Sequence, residues 1–229
     1  MVKKFNKFLI NSICKDLNIR NYTINNDMTV DVDGDVEILN KKFKKIPFKF
    51  NEINGNFYIH NNSNLISLKN SPKKIVGNFN CMFNKLNSLK HSPDYVENNF
   101  ICKFNHLESL EYLPNYIGGT VDATHNNINT LKGLKNHNIV INLTENNIRS
   151  IKHSGECKLI LNRNPFFEIE TLSSKTFTHN TEYINYFNEL DIINENETSI
   201  ILDRLNYFLQ DIGGNEINSN QIRNYKIIK

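Results

Sequence analysis

The sequence predicts an α/β solenoid: a coil of short repeats with a small non-repeating element at each end. Three observations predict it. The pattern φ-x-φ-x-x-N-x-φ-x-x-φ, with φ apolar, recurs along most of the chain, as in residues 79–89 (FNCMFNKLNSL) and 100–110 (FICKFNHLESL). Its strands begin at Val36, Phe57, Phe79, Phe100, Val121, Ile141 and Leu159, at spacings of 21, 22, 21, 21, 20 and 18 residues. A column of asparagines keeps the same place in successive repeats. A unit of this length cannot bury an apolar face alone, so the units must stack, with each coil covering the next.

Each element of a coil follows from its spacing. Residues i and i+2 of a strand point the same way. Phe79 and Cys81 therefore face inward while Asn80 faces out. The second inward column is Ile38, Ile59, Cys81, Cys102, Ala123, Leu143 and Leu161. The next apolar anchor is Phe43, Leu65, Leu86, Leu107, Ile128, Ile148 and Phe166. The closing anchor is Ile46, Leu68, Leu89, Leu110, Leu131, Ile151 and Ile169. Four early coils carry one more apolar residue, at Ile53, Ile75, Val96 and Ile117.

The asparagine column runs Asn62, Asn84, Asn105, Asn126, Asn146 and Asn164, with Lys41 in the first coil. The chain must turn inward after so short a strand. That turn leaves backbone N–H and C=O groups that a buried amide side chain can satisfy, since it both donates and accepts.

Over residues 36–170 this pattern resembles the leucine-rich-repeat family. The repeat length, the proline after the closing residue (Ser71-Pro72, Ser92-Pro93, Leu113-Pro114) and the segments VDVDGDV and GNFNCMFNKLNSL are most similar to short bacterial and bacteriophage repeats. The resemblance implies a right-handed coil with a parallel sheet on the concave side and irregular or 3₁₀ structure on the convex side. The chain departs from the pattern at its last coil, which is short and has Pro165 after Asn164. Some bacterial repeat proteins of this kind carry a cysteine-based ubiquitin-ligase domain after the repeats, but no cysteine follows Cys157 here.

The flanks are expected to cover the solenoid's open apolar ends. Residues 1–35 form the N-terminal cap, 36–175 the solenoid of about seven coils, and 176–229 a helical C-terminal cap. Phe5, Leu9, Ile13 and Leu17 recur at helical spacing. The run TVDVDGDVEI alternates around Asp33-Gly34, a two-residue hairpin signal whose second strand would be the first repeat strand. Residues 180–190 and 198–212 read as helices. In the second, Ile201, Leu205, Phe208, Leu209 and Ile212 form one stripe, ended by Gly213-Gly214.

The bulk numbers narrow the function. The chain has 229 residues, 39% hydrophobic and 22% charged, with 42 asparagines and no tryptophan. A net charge of +3 is too small to argue for nucleic acid. Lys41, Lys42, Lys44 and Lys45 are offset by Asp27, Asp31, Asp33, Asp35 and Glu37. The apolar run Phe8–Ile10 is too short for a signal sequence or a membrane span. The four cysteines form no CxxC pair. A cytoplasmic protein is expected, in the producing cell or an infected host.

Chemical motifs are weak. Asp31, Asp33 and Asp35 have calcium-loop spacing, but Val36 stands where that loop needs glycine and Lys42 where it needs glutamate. Cys81 and Cys102 fall one coil apart on an inward column and read as small buried hydrophobes. No P-loop, GxSxG or HExxH occurs. Neither an enzyme nor a cofactor or metal site is expected.

Binding is the expected role, through the concave face. Its outward residues include Tyr58, His60, Asn80, Met82, Phe83, Ile101, Lys103, Phe104, Asp122, Thr124 and His125. Tyr58, Met82, Phe83, Ile101 and Phe104 gather in coils two to four, and such residues are enriched at interface cores. For Phe83 and Phe104 a place under the turn, as extra core, is equally compatible with the pattern. The expected partner is another protein. The alternatives are a structural or assembly component and, more weakly, a nucleic-acid or nucleotide binder.

Overall fold

The computed structural model describes residues 6–134, 139–150, 157–161, 163–164, 181–194, 199–222 and 225–228. The chain is a parallel β-solenoid of about six turns. The turns are the intervals between seven strands whose starts are within one residue of those read from the pattern: β3 (Val36–Glu37), β5 (Phe57–Tyr58), β7 (Phe79–Asn80), β9 (Phe100–Ile101), β11 (Val121–Asp122), β12 (Val140–Asn142) and β13 (Lys158–Ile160). They form one parallel sheet, in register Val36↔Phe57↔Phe79↔Phe100↔Val121↔Ile141↔Leu159. The inward columns are buried along its length, with Phe57, Phe79 and Phe100 at 0% exposure. The anchors Ile151, Phe166 and Ile169, with Pro165, lie outside the described residues.

A second sheet corrects the expectation of an irregular convex side. Its strands are β1 (Tyr22–Ile24), β2 (Val30–Val32), β4 (Phe50–Ile53), β6 (Lys74–Ile75), β8 (Tyr95–Val96) and β10 (Tyr116–Ile117). The extra apolar residues Ile53, Ile75, Val96 and Ile117 are its inward column, all buried. Each of these coils thus has one strand in each sheet, joined by a tight corner. There, close coil-to-coil contact requires glycine: a Cβ on Gly55 would lie 2.5 Å from the carbonyl carbon of Gly34, and one on Gly77 would lie 2.6 Å from the Gly55 oxygen.

The expected hairpin at Asp33-Gly34 is also corrected. Asp33-Gly34 is the first of these corners, because β2 and β3 belong to different sheets. The antiparallel pair is β1 with β2, one strand earlier. Its turn is held by Asp27, which accepts the N–H (3.1 Å) and hydroxyl (2.7 Å) of Thr29.

At the N-terminus α1 (Lys7–Asp16) begins where Asn6 accepts the Leu9 N–H at 2.9 Å. Its apolar side places Ile10 and Cys14 in the core, followed by Leu17 and Ile19. At the other end α2 (Thr181–Glu189) and α3 (Leu202–Asp211) meet through Phe187 and Phe208, ring centroids 5.3 Å apart. The stripe buries Leu205, Phe208 and Leu209. Gly213, at φ +77°, ends it. Residues 199–201, read as the helix start, instead form β14 (Ser199–Ile201), parallel to β15 (Lys226–Ile228). Just before β15, Tyr225 is buried and donates its hydroxyl proton to the Arg149 carbonyl.

Candidate interaction face

The outer face of the seven-stranded sheet is set by the asparagine column beneath its end. Asn105 Nδ2 donates to the carbonyls of Cys102 in its own coil and Cys81 in the one before, both at 3.0 Å. Its Oδ1 accepts the Leu86 N–H at 3.0 Å. Asn84, Asn126, Asn146 and Asn164 repeat the two donations. Asn62 does so with Ile38 and His60, and accepts the Lys41 N–H at 2.7 Å. All six are buried.

To bring each asparagine inward, the residue before it adopts the left-handed conformation. That column is Asn40, Asn61, Phe83, Phe104, His125, Glu145 and Arg163, with φ from +52° to +57°. Asparagine tolerates this region; a bulky side chain costs about 1–2 kcal/mol there. Phe83 and Phe104 do not tuck under the turn. Phe83 is 44% exposed and Phe104 half-buried. Their rings stack at 4.3 Å and 7°, and His125 continues the stack at 4.2 Å and 12°. His125 Nδ1 then meets Glu145 Oε2 at 2.5 Å, and Arg163 pairs with the other Glu145 oxygen.

The rest of the predicted face divides by role. Tyr58, Met82 and Ile101 are half-buried beside the aromatic column. Asn80 is buried, and its Oδ1 accepts the Met82 N–H at 3.0 Å. Asp122 accepts the N–H (3.2 Å) and hydroxyl (2.9 Å) of Thr124 and pairs with Lys103 at 3.1 Å. Asn80 and Asp122 therefore fix strand ends as well as facing outward. His60 lies edge-on to Tyr58, ring centroids 6.5 Å apart. Burial holds its imidazole below the usual histidine range, with the Glu37 charge opposing. Its Nδ1 is buried and unpartnered among the described residues.

Two features were missed by the sequence reading. At the corner between sheets runs a second amide ladder. Asp35 accepts from the N–H (2.7 Å) and Nδ2 (3.0 Å) of Asn56, and Asn56 from those of Asn78 (2.8 and 2.9 Å). Asn78 then accepts the Asn99 N–H, and Asn99 the Thr120 N–H. The recurring Gly-Asn-Phe at 55–57 and 77–79 was its signal. On the other sheet Tyr95 and Tyr116 stack at 4.6 Å, with Tyr116 48% exposed.

Cys81 and Cys102 are buried free thiols, raised above their usual range by desolvation. Among the described residues no group of three or more His, Cys, Asp or Glu is placed to hold a metal ion, and no helix is long and apolar enough to cross a membrane. Comparison of the chain with family models, with curated proteins and with solved structures finds no match in any of the three.

Proposed function

We propose that this chain is a non-enzymatic binding module of the leucine-rich-repeat type that engages another protein through the outer face of its seven-stranded sheet. The observation that carries the reading is the aromatic pair in the left-handed column. Coils one and two fill that position with Asn40 and Asn61, which tolerate the backbone. Coils three and four use Phe83 and Phe104, which strain it and remain in contact with water. Stacking returns only about 0.5–1.5 kcal/mol per pair. Folding alone gives no reason to prefer phenylalanine there, whereas an interface does.

The surroundings suit an interface core. Tyr58, Met82 and Ile101 extend the apolar patch, and the Lys103–Asp122 and His125–Glu145–Arg163 groups rim it with paired charge. Lys103, Asp122, His125, Glu145 and Arg163 on this face are engaged with one another, which favours recognition over catalysis. The buried asparagine ladder supports the leucine-rich-repeat assignment; the second sheet departs from it. Helix α1 and the α2–α3 pair serve as end caps, supported by the burial of Ile10, Cys14, Phe187 and Phe208. The protein would act in the cytoplasm of its producing or host cell.

Affinity purification from the native cells with wild type and a Tyr58→Glu/Ile101→Glu variant tests this. The variant, folded by circular dichroism, is expected to lose the specific partner. Identical partner sets would overturn the proposal.

A further inference from the structure

The two sheets begin differently at the N-terminal end of the solenoid. The outer edge of β2 is closed by β1, which pairs with it antiparallel from Tyr22↔Val32 to Ile24↔Val30. The seven-stranded sheet ends at β3, with β5 on one side and, among the described residues, no strand on the other. Along a parallel strand, alternate residues direct their N–H and C=O groups to opposite sides. Val36 and Ile38 donate to the β5 side, to the carbonyls of Asn56 (2.9 Å) and Tyr58 (2.8 Å). Glu37 and Leu39 therefore turn their backbone groups the other way, to the open edge.

That edge is a cleft of about 380 Å³ beneath the segment that follows α1. Leu17, Ile19 and Leu39 supply its apolar wall. Its charges are unbalanced: Asp16, Asp35 and Glu37 against Lys41. An open edge with unpaired donors and acceptors is a template for another strand, and proteins usually cover it, as β1 covers β2.

We infer that this cleft is a strand-addition site: an extended, basic segment of a partner protein pairs with the free edge of β3 through the backbone of Glu37 and Leu39. Main-chain hydrogen bonds hold such a segment, and the cleft's walls select its side chains. The three carboxylates select lysine or arginine. The site lies at the end of the sheet, apart from the Phe83–Phe104 column, and does not depend on that column's role.

The test uses the full chain and a fluorescent ten-residue peptide alternating lysine and valine, followed by anisotropy and by amide hydrogen exchange. Two control peptides replace lysine with glutamate or carry N-methyl groups on alternate residues. Saturable binding of the basic peptide is expected, with protection of the Glu37 and Leu39 amides. The N-methylated and acidic peptides should not bind. Glu37→Lys, a change at an exposed side chain, should weaken binding by about tenfold, while Phe83→Asn/Phe104→Asn should leave it unchanged. Absence of binding, equal binding of the N-methylated peptide, or protection appearing at the aromatic column or at β13 or β15 instead would overturn the inference.

Discussion

Overlapping coils carry two aromatic ladders, one inside the solenoid and one outside. Phe57, Phe79 and Phe100 stack inward with ring centroids 6.0 and 5.0 Å apart, at 0% exposure and on ordinary strand backbone. Phe83, Phe104 and His125 stack outward at 4.3 and 4.2 Å, closer together but in contact with water and on left-handed backbone. Coil spacing stacks whatever a column holds, so close stacking by itself says nothing about stability. Burial decides: the inner ladder removes large apolar area from water, while the outer one gains little and strains its turns.

The largest effect should come from the inner ladder. Phe79→Ala is expected to destabilise the fold by about 3–5 kcal/mol, read from urea unfolding. The buried amides come next. Asn105→Ala leaves the Leu86 N–H without its acceptor and takes one of two amide donors from each of the Cys81 and Cys102 carbonyls, and should cost about 1–3 kcal/mol. The corner ladder is less buried, so Asn78→Ala should cost only about 0.5–1.5 kcal/mol. Equal losses at Asn105 and Asn78 would show that burial is not what separates the two amide columns.

Acid should weaken the fold in two steps. The imidazole of His60 is held low by burial, so the unfolded chain takes up its proton first. Stability is full above the unfolded value of about 6.5 and falls as the pH drops below it. Asp31 follows at lower pH. Burial would raise its carboxyl, but hydrogen bonds from Asn25, Asn51 and the Glu52 N–H outweigh that and hold it low. Its contribution is present above the unfolded value of about 3.9 and disappears as the pH falls through the folded one. Unfolding midpoints at pH 7.5, 5.5 and 3 should decline in that order, and His60→Gln should remove the first decline only.

The inner ladder was legible because burial enforces a period: Phe57, Phe79 and Phe100, with Asn84 and Asn105, repeat where the interior leaves no alternative. The second sheet was visible only as the apolar column Ile53, Ile75, Val96 and Ile117, because β6, β8 and β10 each bury a single residue, which shows no alternation. Asp33-Gly34 misled because a hairpin turn and a coil corner ask for the same small, turn-forming residues; only pairing partners distinguish them. The pattern placed the face residues but not the side taken by Phe83 and Phe104. That depends on the sign of φ at one position, and Asn40 and Asn61 in the same column were the available sign of it.

The most direct test replaces both outer rings with the residue that the first two coils use. Phe83→Asn/Phe104→Asn relieves two strained turns while removing two stacks, Phe83 on Phe104 and Phe104 on His125, so its unfolding free energy should stay within about 1 kcal/mol of wild type. The partner recovered by wild type should be lost at the same time. A fall in stability comparable to that of Phe79→Ala, or full retention of the partner, would contradict the assignment of the outer ladder to binding.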